Sequence, residues 1–291
     1  MNTIPHHLDE DTLAEVWADL QAHVDAGVRL RPNAYRLAFS DPEFLMRRET
    51  RGMRMQLEML KPDLDQSEQG VEITVVVFGS ARFLSPAAAE QALKEAQASG
   101  DATKINLAQR GVRNAVYYEQ ARLFAHLVAG HSARLPLKER IFICTGGGPG
   151  IMEAANRGAH EMGVPTVGLN ITLPHEQKAN PYVSPSLSFK FHYFALRKMH
   201  FMIRAKALVA FPGGFGTLDE LFEVITLVQT QKSAPLPIIL FGTGYWKRLI
   251  NFDVLIEEGV ISAEDMDLIR FTDDPQEAWE TIRAFYDMDG G

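Results

Sequence analysis

The sequence predicts an α/β protein: a doubly wound parallel sheet over residues 71–291, preceded by an N-terminal helical appendage over residues 1–70. Two observations carry this expectation. Short apolar, β-branched runs recur after residue 71, each ending at glycine or another turn residue, as strands buried on both faces of a parallel sheet do. Helix-period segments stand between those runs, and strands alternating with helices imply βαβ units.

Within the appendage, Leu13, Val16, Trp17, Leu20 and Val24 fall at helical spacing, and a second helical pattern runs from about Glu43 until Lys61-Pro62 stops it after Leu60. Arg47, Arg51 and Arg54, with Arg48 beside them, then share one face of that helix. Such a face is either solvated or a source of extra phosphate contacts. Residues 61–70, KPDLDQSEQG, are polar with turn residues at both ends and mark the domain boundary. Beyond it, strands are expected at VEITVVVFG (71–79), IFICTG (141–146), PTVGLN (165–170), ALVAFPGG (207–214) and LPIILFG (236–242). Helices are expected at 112–129, 151–162, 193–205, 218–228 and 245–257. In such a sheet ligands bind beyond the carboxyl ends of the strands, so the chemistry is expected just after each strand.

Composition narrows the function classes. With 46% hydrophobic and 23% charged residues the chain has the makeup of a globular protein. Its net charge of −8, from 37 acidic against 29 basic residues, gives no global attraction to nucleic acid, so any phosphate must be held locally. No apolar run approaches the ~20 residues that span a bilayer. The opening MNTIPHHLDE has neither a basic nor an apolar region of a secretory signal. A single cysteine, Cys144, rules out an intrachain disulfide and suits a reducing compartment; it reads as a buried structural thiol. A cytoplasmic protein is expected.

Three turns after apolar strands carry the candidate chemistry. Gly79-Ser80-Ala81-Arg82 lets backbone approach a ligand, with Ser80 or Arg82 as donors to a phosphate or ribose, although a tight turn with a surface arginine would look the same. Thr145-Gly146-Gly147-Gly148-Pro149-Gly150 precedes a helical segment, where glycines clear the approach and a helix N-terminus favours an anion. That turn is not a Walker loop, because no GKS or GKT follows, and it lacks the acidic residue about 20 positions on that a dinucleotide fingerprint needs. Pro212-Gly213-Gly214-Phe215-Gly216-Thr217 opens a second helix, with Thr217 read as N-cap and as hydroxyl donor to a phosphate. Glu220 and Glu223 follow on one face of that helix, placed either to reach a ribose or merely to complement the helix dipole. Metal motifs are missing: His175-Glu176 lacks the second histidine of HExxH, and His6-His7 lie near the chain start.

Two of these segments, GGGPGIMEAANRGA (146–159) and PGGFGTLDE (212–220), resemble the paired motifs of the LOG (cytokinin riboside 5′-monophosphate phosphoribohydrolase) family, in particular its longer bacterial members. The resemblance runs from about Val71 to Asn251 and takes in FGSAR (78–82) and Arg197-Lys198. It implies a Rossmann-like fold and hydrolysis of a nucleoside 5′-monophosphate, AMP or a cytokinin riboside monophosphate, to free base and ribose 5-phosphate without a cofactor. It also implies a homodimer or larger homo-oligomer. The implied catalytic pair maps to Arg197 and Glu220, with Ser80, Gly147, Gly148, Gly150, Lys198, Gly213, Gly214, Gly216, Thr217 and Glu223 around the substrate. The older label of the family, lysine decarboxylase, requires a Schiff-base lysine for pyridoxal phosphate, and no context for one is visible. A non-enzymatic nucleotide or molybdenum-cofactor carrier is the alternative, since phosphate cradles also bind without catalysing.

Overall fold

The computed structural model describes residues 36–172 and 178–288, together with 18, 21, 22, 25–27 and 34. The helical spacing at Leu13, Val16, Trp17, Leu20 and Val24 lies outside the described residues, as do His6-His7 and His175-Glu176. The chain divides into two compact units, residues 1–57 and 58–291.

In the first unit, helix α1 (Pro42–Leu45) is capped by Asp41, whose carboxylate accepts from the amides of Glu43 and Phe44 at 3.0 and 3.2 Å. The expected single helix from 43 to 60 is instead broken after Leu45 and resumes as α2 (Arg51–Glu68). The buried Thr50 hydroxyl sits within 3.1 Å of the carbonyls of Phe44, Leu45 and Arg47 and holds the break closed. Arg47 and Arg48 lie in the break, and the Arg54 guanidinium folds back to the Arg47 carbonyl at 2.8 Å. The four arginines therefore do not line one helix face. Nor does Pro62 stop α2, which runs on to Glu68. Proline removes one helix N–H and crowds one turn, and here the Gln66 amide returns to the Pro62 carbonyl at 2.9 Å.

The second unit is built on seven strands: β1 (Ile73–Phe78), β2 (Ile141–Thr145), β3 (Val167–Ile171), β4 (Ser188–Phe191), β5 (Ala205–Ala210), β6 (Ile238–Phe241) and β7 (Ile269–Thr272). Their order is β4-β3-β2-β1-β5-β6-β7 and every neighbouring pair is parallel. This is a doubly wound, Rossmann-like α/β sheet. The chain first winds outward from β1 to β4, then returns beside β1 and winds the other way, so the topological switch point falls between β1 and β5.

The connecting helices are α3 (Pro86–Ser99), α4 (Ala102–Ser132), α5 (Ile151–Glu161), α6 (Phe194–Ile203), α7 (Phe215–Gln229), α8 (Thr243–Leu249), α9 (Phe252–Glu257) and α10 (Pro275–Phe285). All five expected strands form. The expected helix 245–257 proves to be two, α8 and α9, parted at Ile250 and Asn251, which adopt extended backbone. The sheet centre is dry: Val75, Val76 and Val77 of β1 and Val209 of β5 are fully buried, the pattern that predicted a two-sided strand. Trp246 of α8 is equally buried, its indole N–H shared between the carbonyls of Ala210 (3.1 Å) and Phe241 (2.9 Å). It thereby seals the sheet end next to the β5 turn.

Candidate active site

The three glycine-bearing turns converge at the switch point. The Ser80 amide, just beyond β1, donates to the Pro212 carbonyl beyond β5 at 3.0 Å, and the Ser80 carbonyl accepts from the Ile151 amide at the start of α5 at 3.1 Å. Ser80 is thus the backbone hub of all three turns, while its hydroxyl accepts from the Arg82 amide at 3.1 Å.

Helix α5 begins at Gly150, which has φ +72° and whose hypothetical Cβ would lie 2.3 Å from the Ser80 carbonyl oxygen, so only glycine fits. Helix α7 begins at Gly214. Neither start carries a side-chain cap from its N-cap residue, and nor do α6, α8 and α9, whereas Asp41, Ser85, Asp101 and Asp274 cap α1, α3, α4 and α10. First-turn amides have no intrahelical partner and favour an anion. Thr217 is not the N-cap expected of it: α7 starts two residues earlier, at Phe215, and Thr217 lies buried in the first turn, packed over Gly213. The turn is pinned from outside by Tyr245, whose hydroxyl donates to the Gly213 carbonyl at 2.5 Å. Gly214 and Gly216 face open space.

Beneath the GGGPG turn lies a buried polar network that sequence reasoning missed. Asn156 of α5, fully buried, accepts from the Thr145 hydroxyl at 2.7 Å and from the Asn180 amide at 2.9 Å, and donates to Val167 O and to the Thr166 hydroxyl. Asn180 also donates to Gly148 O at 3.0 Å through its side chain and to Gly147 O at 2.9 Å through its backbone. The Gly147 amide in turn donates to Thr145 at 2.9 Å. This network fixes the turn that opens α5. Its one signal in the sequence was an asparagine beside Ala154 and Ala155, a polar side chain next to small ones that suit a buried helix face.

Arg197 and Glu220 face this convergence from α6 and α7. Arg197 is half-buried; its Nε donates to the Leu169 carbonyl at 2.6 Å, and its guanidinium carbon lies 5.1 Å from the centre of the Phe201 ring. Gly146 makes room for it, since a Cβ there would fall 2.5 Å from Arg197 Nη2. Burial lowers the Arg197 pKa, while the charge of Glu220 raises it. Glu220, only 6% exposed, is pushed up to about 7 by burial, against the pull of Lys198 and Arg197. The two side chains thus feel each other electrostatically at the switch point. Lys198 joins them by another route, bridging Asp219 at 2.9 Å and Glu223 at 2.8 Å. Burial alone would lower the Lys198 pKa, but those two carboxylates raise it. Cys144, at the end of β2, is fully buried with its thiol pushed up to about 12, as a structural thiol would be.

An open groove of about 630 Å³ adjoins Lys198 and runs along α7 past Phe215, Leu218 and Phe222. Phe215, in the glycine turn itself, is 92% exposed. Among the described residues no cluster of histidine, cysteine and carboxylates could hold a metal ion, and no helix is long and apolar enough to cross a membrane.

Residues 152–282 match the family described as "Possible lysine decarboxylase". Among curated proteins, the cytokinin riboside 5′-monophosphate phosphoribohydrolases LOG3 and LOG4 of Arabidopsis thaliana are 31% and 30% identical over 127 and 138 residues. Those alignments cover 43% and 46% of this chain and 58% and 63% of the relatives, so the chain spans about three fifths of the length of the proteins it matches. Among solved structures, the molybdenum cofactor binding protein of Rippkaea orientalis superposes with a TM-score of 0.43 at 18% identity, over 74% of this chain and 96% of that one.

Proposed function

We propose that this chain, kin to the LOG family through residues 152–282, hydrolyses the N-glycosidic bond of a nucleoside 5′-monophosphate to free base and ribose 5-phosphate. The observation that carries the reading is the half-buried Arg197 guanidinium against Gly146 in the GGGPG turn and the buried Glu220 carboxyl on α7, each charge acting on the other, beside two glycine-started helices without side-chain caps. A structural ion pair has no need of that company, and neither does a phosphate cradle on its own.

In this reading the phosphate sits at the first turns of α5 and α7, with Ser80, Gly147, Gly148, Gly150, Gly213, Gly214, Gly216 and Thr217 around it and Lys198 adding positive charge. The C1′–N bond breaks with its electron pair going to the base, and positive charge develops on the sugar. The Glu220 carboxylate opposes that charge and takes a proton from the water whose oxygen bonds to C1′. The departing base nitrogen takes up a proton from solvent, and Glu220 releases the one it accepted, so that in sum water adds OH to C1′ and H to the base. Arg197, permanently charged, stabilises either the phosphate or the negative charge on the departing base. Glu223 acts through Lys198, to which it is bonded. Backbone amides hold the phosphate and side chains do the chemistry, with no metal or organic cofactor, on a substrate such as AMP or a cytokinin riboside monophosphate.

The protein is further proposed to work in the cytoplasm as a homodimer or larger homo-oligomer. Phe194, Met199 and Ile203 of α6 and Phe215 and Phe222 of α7 are exposed apolar side chains that a second copy would cover.

The test is chromatography of free base released from a panel of nucleoside monophosphates. Release from one or more of them supports the hydrolase. Tight binding across the panel with no base released replaces it with a nucleotide or molybdenum-cofactor carrier.

A further inference from the structure

Helix α6 carries both Arg197 and Lys198, yet its own N-cap residue, Tyr193, supplies no capping side chain. The cap comes from far away in the chain. Glu58, in α2, accepts from the His192 amide at 2.8 Å with one carboxylate oxygen and from the Tyr193 amide at 3.1 Å with the other. The opposite end of α6 is held by the same stretch. Arg204, the C-cap of α6 and only 7% exposed, pairs with the Asp63 carboxylate at 2.7 Å. It also donates to Asp63 O, Ser67 Oγ and Val71 O at 3.0, 2.9 and 2.7 Å. Residues 58–71 therefore clamp both ends of the ten-residue helix that presents Arg197 and Lys198 to Glu220. Arg197 is one turn beyond the capped amides, and its amide donates to Tyr193 O at 3.2 Å.

Resting on the hydrolase reading above, we propose that Glu58 is a positioning residue for the reaction: its carboxylate fixes His192 and Tyr193, the entry to α6, and thereby the placement of Arg197 and Lys198 against Glu220. An N-cap on a surface helix adds stability and nothing more. Here the capped turn ends in two cations whose partners sit on other elements, Leu169 O on β3 and Asp219 and Glu223 on α7. If the turn frays, both cations lose their register with the carboxylate they face, and a misplacement of about 1 Å at such a site costs on the order of 100-fold in rate.

The experiment compares Glu58→Ala and Glu58→Asp with wild type and with Asp274→Ala in the full-length chain. Asp274 caps α10 by the same chemistry, accepting from the Gln276 and Glu277 amides at 2.7 and 3.2 Å, away from the switch point. Base release from AMP is followed across pH at a temperature where every variant is folded. Glu58→Ala is expected to lower kcat at least tenfold and to move the acid limb of the kcat profile to higher pH, as Glu220 loses the nearby cations. Glu58→Asp is expected to restore part of both, and Asp274→Ala to leave both unchanged. Unchanged kcat and limb in Glu58→Ala, or equal effects in Asp274→Ala, would overturn the proposal. Should wild type release no base from any monophosphate, the hydrolase reading falls by itself and amide hydrogen exchange decides the clamp. At least tenfold faster exchange over residues 192–198 in Glu58→Ala, with β1 and β5 unaffected, supports it; unchanged exchange there overturns it.

Discussion

Lys198 Nζ stands 2.8 Å from Glu223 Oε2, an ion pair that ties α6 to α7 one turn beyond Glu220. Burial is the largest effect on the Glu220 carboxyl and raises it; Lys198 and then Arg197 pull it back down, and Glu223 and Asp219 push it up again. The protonation of Glu220 is therefore set by its neighbours as well as by its depth.

This balance gives the first prediction a sign. If the ionised carboxylate is the active form, kcat rises with pH through about 7. Lys198→Met removes the strongest opposing cation and shifts that limb to higher pH. Glu223→Gln removes a like charge and shifts it to lower pH, with a smaller loss of turnover, because Asp219 still holds Lys198 at 2.9 Å. The kcat profiles of the two variants decide it: limbs moving in the same direction would separate Glu220 from the titration.

A second prediction concerns the phosphate. The first turns of α5 and α7 lack side-chain caps and can hold a dianion, so AMP is expected to be cleaved with kcat/KM at least 100-fold above that of adenosine. Equal values would remove the phosphate from the mechanism. If Glu220 and Arg197 supply the charges the transition state needs, EDTA and the omission of NAD or pyridoxal phosphate leave the AMP rate unchanged.

Asn156 yields a third prediction, about stability. It is fully buried, and Thr145, Thr166 and Asn180 all direct polar atoms at it. Asn156→Ala strands those partners away from water, at a cost of roughly 2–3 kcal/mol. Denaturant unfolding should show the midpoint falling at constant slope, and KM for AMP should rise as the turn opening α5 loosens. A variant as stable as wild type would mean that the network is relaxed by water.

The sheet and its turns were legible because their signals are local. β1 and β2 are apolar runs interrupted only by Thr74 and Thr145, and glycine follows both, as it does at the β5 turn. What was not legible depends on distance or brevity. The strands β4 and β7 are four residues long and sit at the two sheet edges; β4 buries two alternate positions and β7 only its two ends, too short a pattern to separate from loop. Asn156 looks like any polar helix residue until Thr166 and Asn180 are brought to it. Glu58 caps a helix 134 residues away. The break before α2 was hidden because Thr50 makes its bonds to carbonyls that a continuous helix would have used itself. The start of α7 was misplaced for a related reason: with no capping side chain at Gly214, Thr217 was the nearest residue of capping type.

The last prediction sets activity against stability at a single residue. Glu220→Gln keeps the shape of the side chain but cannot oppose positive charge at C1′, so kcat is expected to fall about 100-fold or more, and Arg197→Ala to do the same without the two effects adding. The folded-state carboxyl titrates near 7 against an ordinary value of 4.5, so between those pH values the native state holds a proton that the unfolded chain has released. Stability therefore falls as pH rises from 4.5 to 7, and the buried ionised carboxylate costs up to roughly 3 kcal/mol above that range. Glutamine carries no such cost. The variant is expected to be more stable than wild type at pH 8 and to have lost that advantage at pH 4.5, where both side chains are neutral. Thermal unfolding at the two pH values, run beside the base-release assay, reads both halves. A variant that is inactive and also destabilised at pH 8 would show that the Glu220 carboxylate is held by its neighbours as a structural anion rather than kept costly for the reaction.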